Sequence, residues 1–234
     1  MMQKSITKLP RLYTELDLAC RQNIELSKDQ AHYLKNVMRK EAEDDLRVFN
    51  GRQGEWLCTI KDLSKKSAHI EPIEEIRGQK MPARRIHGFF PPIKKNRQDF
   101  LIEKAVELGV TDLHPVLMEH SEVRKINEER IRAQIIEASE QCERLDIPLL
   151  HPVSDMKEAL ANLSFPVLAA LERYEGAEKQ ACDAKEIGVI VGPEGGFSEN
   201  EKQFLLQANN IHGISLGENI LRAETAFLKI LCTL

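Results

Sequence analysis

A chain of 234 residues, 42% of them hydrophobic and 30% charged, is long enough to bury a core without disulfide or metal staples and suits one large or two modest domains. A formal net charge of −4 and a pI near 6.0 exclude a generally basic nucleic-acid binder, so any contact with a polyanion has to be local. No run approaches the roughly 18 apolar residues of a membrane helix, and residues 1–10 lack the apolar core of a signal peptide. The five cysteines, at positions 20, 58, 142, 182 and 232, form no Cys-x-x-Cys pair, which speaks against structural zinc and for a reducing, cytoplasmic setting.

In chain order, residues 27–38 predict a helix capped by Ser27 or Asp29, with Ala31, Leu34, Val37 and Met38 on one face. Residues 46–49 and 56–60 are apolar runs around Asn50-Gly51-Arg52-Gln53-Gly54 and predict a β-hairpin. Residues 69–73 add a strand, which makes the N-terminal part a small barrel. The polar stretch 74–82, with a Gly and a Pro, predicts a linker. Beyond it, strands at 86–90, 113–117, 167–171, 187–191 and 211–216 alternate with helices near 98–108, 127–145 and 198–209. That alternation is the pattern of a parallel α/β sheet.

Basic residues gather across the linker and the first crossover. Arg77, Lys80, Arg84, Arg85, Lys94, Lys95, Arg97 and Lys104 stand against only Asp99 and Glu103, a local excess suited to phosphates. On the helix at 127–145, Ile131, Ile135, Ala138, Cys142 and Leu145 form the buried face. Arg130 and Arg144 then point outward, toward RNA, a second subunit, or Glu137, Glu140 and Glu143 on the same helix.

The strand at 187–191 runs directly into Gly192-Pro193-Glu194-Gly195-Gly196-Phe197, and Ser198 with Glu201 matches a capping box opening the next helix. Unpaired N–H groups at a helix start attract anions, yet Glu194 inside the loop repels a phosphate. The Lys-Ser/Thr of a P-loop is missing and the glycine spacing is not the dinucleotide fingerprint. Glu194 suits ribose hydroxyls or an ammonium group, so the loop points to a nucleoside without phosphates. After the strand at 211–216, Leu216-Gly217-Glu218-Asn219-Ile220-Leu221-Arg222-Ala223-Glu224-Thr225-Ala226 precedes an apolar helix pattern. Two such loops leaving neighbouring strands make a crevice at strand carboxyl ends, where open α/β sheets bind ligands.

These two loops, the segment FLIEKAVELGV at 100–110, Arg11-Leu12-Tyr13 and HYLKNVMR at 32–39 resemble the RsmE family of ribosomal RNA methyltransferases over nearly the whole chain. The resemblance implies an α/β fold of the SPOUT class over residues 76–234, with a parallel sheet and a C-terminal trefoil knot. It also implies a small PUA-like RNA-binding β-barrel over residues 1–75. Knots are otherwise nearly absent from proteins, so that expectation rests on resemblance alone. Further implications are S-adenosylmethionine as cofactor, no metal, a homodimer, and methylation of N3 of a uridine in 16S ribosomal RNA of the small subunit.

By the same resemblance, the cofactor contacts are Leu171 and Glu172, then Gly192, Pro193, Glu194, Gly195 and Gly196, then Leu216, Gly217, Ile220, Leu221, Arg222 and Thr225. RNA contacts fall to Arg11, Arg39, Lys94, Arg97, Arg124 and Arg144. Many family members carry a basic residue where Asn219 stands here. Chemistry at N3 requires a base or a cation that holds the uracil anion. Arg222, forked and always charged, is the candidate cation, and Glu224 or Glu194 the candidate base. Either carboxylate also suits a cofactor hydroxyl or a helix cap. Two rival readings are a non-catalytic RNA-binding assembly module that retains the nucleoside pocket, and a nucleotide hydrolase, which the missing phosphate lysine disfavours.

Overall fold

The computed structural model describes residues 6–171 and 184–234. The chain divides into two compact units, Met1–Met81 with Ser139–Ile147, and Pro82–Ala138 with Pro148–Leu234.

The first unit holds a five-stranded sheet in the order β1-β3-β4-β5-β2, built from β1 (Arg11–Tyr13), β2 (Ile24–Leu26), β3 (Asp45–Phe49), β4 (Glu55–Leu63) and β5 (Ala68–Arg77). Its pairings are antiparallel except β1 with β3. Leu12, Ile24, Leu34, Leu46, Val48, Ile60 and Ile70 are among the residues that fill its core. The predicted hairpin is β3–β4, and its loop is fixed by Asn50, whose Oδ1 accepts from the backbone N–H of Arg52 and Gln53. Gly54 is obligatory: its φ is +72°, and a Cβ there would lie 2.2 Å from the carbonyl oxygen of Arg77.

Two expectations are corrected in this unit. The stretch predicted as a linker is still strand through Arg77, because β5 pairs with Glu55 at its far end. The predicted helix is α1 (Lys28–His32) followed by a π-turn over Tyr33–Val37. Ser27 and Gln30 form a capping box at its start. In the π-turn the N–H of Met38 bonds to the carbonyl of Tyr33, one residue farther than in an α-helix. The extra residue rotates the apolar stripe, so Ala31 and Leu34 are buried while Val37 is 59% exposed.

The sequence also placed Arg11 on RNA, and the structure buries it. Its guanidinium pairs with Glu55, donates to the carbonyl oxygens of Ser139 (2.7 Å) and Arg144, and sits 3.7 Å over the Phe49 ring. Glu55 is fully buried and also faces Arg77 at 3.4 Å and Arg47 at 3.8 Å. Arg11 is therefore a structural cation. Arg144, its side chain only 12% exposed, is drawn onto Asp146.

The second unit is a seven-stranded, wholly parallel sheet in the order β12-β10-β11-β6-β7-β8, with β9 also on β7. In chain order these are β6 (Arg85–Phe90), β7 (Asp112–Leu117), β8 (Leu149–Leu150), β9 (Ser154–Asp155), β10 (Val167–Ala170), β11 (Glu186–Val191) and β12 (Ile211–Ile214). The helices are α2 (Lys95–Glu107), α3 (Glu128–Gln141), α4 (Met156–Leu160), α5 (Glu199–Gln207) and α6 (Ala223–Leu231). Phe89, Met118, Val167, Ala169, Leu171, Ile190 and Phe197 belong to the apolar core that backs the carboxyl ends of the central strands.

Several of the cations counted in the basic stretch meet acids, some far off in the chain and some close by. Arg85 grips Asp112, Lys94 lies 3.6 Å from Glu122, Arg97 reaches Glu194, and Lys104 bonds Glu103 and Glu107. The local excess in sequence is largely neutralised in the fold.

A candidate cofactor cleft at the strand carboxyl ends

The chain lays down β10, β11 and β12 in succession, but in space β10 lies between the other two. Strand order therefore reverses at β10, and an open α/β sheet forms its binding crevice at such a point. The carboxyl end of β10 and the loops after β11 and β12 border an open cleft of about 800 Å³, mouth included. Ala170, Leu171, Val191, Pro193, Phe197, Ala223 and Ala226 give it apolar side chains, while the glycine loops contribute at least as much polar surface. Apolar side chains beside convergent backbone polar groups are the lining of a small-molecule site.

Each loop has its own anchors. Ser198 and Glu201 form the predicted capping box, and Glu201 also accepts from the backbone N–H of Glu119 at 2.8 Å, tying the loop to the chain after β7. His120 Nδ1 lies 3.2 and 3.1 Å from the carbonyl oxygens of Gly195 and Gly196, a contact for the Nδ1–H tautomer. Gly195 admits that ring closely, since a Cβ there would stand 3.0 Å from His120 Cβ. The loop after β12 turns at Gly217, φ +107°, and Lys229 Nζ closes it by donating to the Leu216 carbonyl at 2.6 Å. In the first turn of α6, Ala223 and Ala226 are i,i+3 neighbours and face the cleft.

Of the residues the sequence named for the cofactor, Leu171, Gly192, Pro193, Gly195, Gly196, Leu216, Gly217, Ile220 and Leu221 lie in the cleft wall. Glu194, Arg222 and Thr225 do not; Arg222 and Thr225 are exposed at the start of α6, Arg222 at its N-cap. Glu172 falls outside the described residues. Arg39 and Arg124 are exposed, and Lys94 stands at the N-cap of α2. His120, Lys202 and Lys229 went unnamed, because their contacts with the loops are tertiary and leave no spacing signal.

Beside the cleft, Arg97 joins two of the named carboxylates. Its Nη1 lies 3.1 Å from Glu194 Oε1 and its Nε 3.8 Å from Glu224 Oε1. Glu224 is only 8% exposed, and its Oε2 is enclosed with no hydrogen-bond partner among the described residues.

At the opposite, amino ends of the strands lies a histidine network. His87 bridges His114 (3.0 Å) and Glu186 (2.9 Å), while Asp112 receives Arg85 through two contacts of 2.8 Å and His151 at 3.0 Å. The ring of His114 stacks on His151 with centroids 3.8 Å apart. Burial, then the neighbouring His151 and His87, push His114 down to about 3, and burial also lowers His87. Burial alone would raise the Asp112 carboxyl, but hydrogen bonds from Arg85, His151 and Thr111 hold it far below its usual range. Donor atoms of His87, Asp112 and His114 lie within 4.8 Å of one another, the spacing of a metal site. The bidentate guanidinium already answers Asp112, however, and the hydrogen bonds close without a cation.

No helix among the described residues is long and apolar enough to cross a membrane. Residues 79–234 match the model of the RNA methyltransferase domain, and residues 26–73 that of the RNA methyltransferase PUA domain. The chain is 34% identical to the ribosomal RNA small subunit methyltransferase E of Rickettsia conorii, covering 94% of this chain and 92% of that one. It is 31% identical to the enzyme of the same name from Buchnera aphidicola, over 94% and 90% of the two chains. Among solved structures it is similar to the ribosomal RNA small subunit methyltransferase E of Neisseria gonorrhoeae bound to S-adenosylmethionine. The TM-score is 0.86 at 28% identity, over 96% of this chain and 95% of that one. A methyltransferase of Legionella pneumophila in complex with the same cofactor superposes with a TM-score of 0.84 at 27% identity, covering 96% of each chain. The glycine loops, the cleft at the strand reversal and these matches along nearly its full length together show that this chain belongs to the RNA methyltransferase family, among the ribosomal RNA small subunit methyltransferase E proteins.

Proposed function

We propose that the chain methylates N3 of a uridine in 16S ribosomal RNA of the small subunit, with S-adenosylmethionine as methyl donor. The observation that carries this reading is the cleft itself, edged by two glycine loops at a strand reversal in a fold shared with relatives solved with that cofactor. Its residues fit the group: apolar side chains suit an adenine ring, and the backbone groups of the glycine loops its ring nitrogens. When bound, the sulfonium supplies an electrophilic methyl.

The remaining tasks fall to the chain. Arg222, exposed at the N-cap of α6, holds a uracil oxygen as negative charge develops, and Glu224, two residues on, takes the N3 proton. Arg39, Lys94 and Arg124 are the exposed cations that meet RNA phosphates. We extend the proposal to a homodimer acting in the cytoplasm, without metal, and to passage of the C-terminal segment through a trefoil knot. The matched regions, residues 26–73 and 79–234, support a PUA-like RNA-binding domain followed by a SPOUT domain, while the compact units move the boundary from the expected 75/76 to Met81–Pro82 and return Ser139–Ile147 to the first.

The test is transfer of labelled methyl from S-adenosylmethionine to small ribosomal subunits that lack the modification, followed by nucleoside analysis. The expected product is 3-methyluridine, lost in Arg222→Ala. Cofactor binding by calorimetry without any transfer overturns the enzyme reading in favour of a non-catalytic assembly module.

A further inference from the structure

One end of S-adenosylmethionine is a zwitterionic amino acid, so a cleft that holds the cofactor has a carboxylate and an ammonium group to answer. Glu194, which the sequence offered to that ammonium, faces Arg97 at 3.1 Å and lies outside the cleft wall. Among the described residues of the wall, Lys202 and Glu218 alone carry charged side chains. Lys202 closes the first turn of α5, its N–H bonded to the Ser198 carbonyl, and Glu218 follows Gly217 in the loop after β12. Neither is locked in place. Lys202 Nζ bonds Glu199 Oε1 at 2.8 Å, an i,i+3 pair whose side chains are 38% and 82% exposed. So open a pair contributes little and exchanges its partner readily. Glu201, the other acid of that turn, is occupied by the backbone N–H groups of Ser198 and Glu119 and does not compete. Glu218 is exposed and in no ion pair among the described residues, and the neutral Asn219 beside it leaves its charge unanswered.

We propose that Lys202 and Glu218 read the amino-acid end of the cofactor, Lys202 donating to its carboxylate and Glu218 accepting from its ammonium group. This rests on the methyltransferase reading above and names the groups that answer the cofactor's tail. Lys202 carries a flexible four-carbon stem and Glu218 an unpaired carboxylate, so the two heads are able to converge on groups borne by a single carbon atom. The pair selects among adenosine ligands by charge. A nucleotide's phosphates are drawn to Lys202 but repelled by Glu218, and adenosine leaves both charges unmatched, whereas a zwitterionic tail answers both at once. Lys202 belongs to the helix that follows β11 and Glu218 to the loop that follows β12, so the tail makes its contacts on both sides of the strand reversal. Donor and product share that tail. The pair therefore binds S-adenosylmethionine and S-adenosylhomocysteine alike and leaves their discrimination to the sulfonium charge.

The test is calorimetry on the full chain with ligands that differ at this end. Of two thioethers without the sulfonium charge, S-adenosylhomocysteine keeps the amino acid and methylthioadenosine lacks it. Wild-type protein that binds no S-adenosylmethionine overturns the cofactor reading itself, an outcome distinct from failure of the present inference. Lys202→Met and Glu218→Gln, each melting as the wild type does, lower affinity for S-adenosylmethionine and S-adenosylhomocysteine by about tenfold, the loss of one charge-assisted hydrogen bond at a part-exposed site. The same changes alter affinity for methylthioadenosine by less than about twofold, since that ligand never met the lost charge. Decarboxylated S-adenosylmethionine, which retains the ammonium alone, is indifferent to Lys202→Met and still weakened by Glu218→Gln. Lys202→Arg, which keeps the charge, stays within about threefold of the wild type. Equal losses on the two thioethers overturn the proposal in favour of a role in shaping the loops, and undiminished affinity for S-adenosylhomocysteine overturns it in favour of a tail left to solvent.

Discussion

Arg11→Met removes the buried guanidinium while keeping the stem that lies on Phe49. Glu55, fully buried, then retains only Arg77 at 3.4 Å and Arg47 at 3.8 Å, neither as close as the lost partner. The carbonyl oxygens of Ser139 and Arg144 lose a charged donor at the same time. Breaking one side of a buried ion pair costs about 3–5 kcal/mol, and each enclosed acceptor left bare about 1–3 kcal/mol, terms that overlap. A total near 4 kcal/mol is a large share of the 5–15 kcal/mol that holds a domain together. Trp56, the single tryptophan, sits in β4 with its Nε1 donating to Gln53 at 2.8 Å, and so its fluorescence reports this unit. With a urea slope of about 2 kcal/mol per molar, the midpoint of that transition falls by on the order of 2 M. RNA affinity of the folded variant, and the slope of its logarithm against log salt, stay as in the wild type. An unchanged midpoint with a salt slope reduced by about one would refute the reasoning and return Arg11 to the phosphates.

Two further outcomes follow from the geometry. His114 has its folded value pushed down to about 3, below its value in the unfolded chain, so the unfolded state binds the proton first as pH falls. Stability is full above about pH 6.5 and drains as pH drops toward 3, by about 2 kcal/mol at pH 5 for one such histidine; His87 acts in the same direction. Thermal melts between pH 7.5 and 4.5 measure it, and His114→Asn flattens the dependence; a wild-type melting point that rises on acidification contradicts the sign. Gly217→Val forces a branched side chain onto φ +107°, a strain of about 1–3 kcal/mol. Calorimetry should record S-adenosylmethionine affinity lowered by roughly tenfold, while the melting point falls by about 2–4 °C for each kcal/mol of that strain. Undiminished affinity would place the cofactor away from this loop.

What the sequence revealed was what local pattern encodes. The strands at 187–191 and 167–171, the hairpin around Asn50 and the capping box of Ser198 and Glu201 each rest on neighbours within a few residues, and each appears within a residue or two of the expected place. The short β1, β2, β8, β9 and α4 carry too few residues to show a period. The π-turn escaped because its apolar residues fit an α-helical stripe equally well up to Leu34. Charge was the least readable feature. Arg11, Arg85 and Arg97 look alike as exposed basic residues in sequence, yet each is claimed by a carboxylate from 27 to 97 positions away. Motif spacing identified the glycines that shape the cleft, whereas the groups that brace them, His120 and Lys229, depend on where the sheet brings distant segments.

The reversal of strand order at β10 makes the cleft a joint between two strands, β11 and β12, that follow one another in the chain but do not pair with each other. β11 closes one side by pairing with β10 in register Val167 to Gly188, and β12 the other by pairing Val167 with Ile211. A ligand held by both loops acts as a clasp across β10, and its binding energy adds to the cost of peeling either flanking strand away. Amide exchange in β12, at the sheet's edge, should therefore slow most when the clasp is fastened, which makes the edge strand a gauge of occupancy in the cleft beside it.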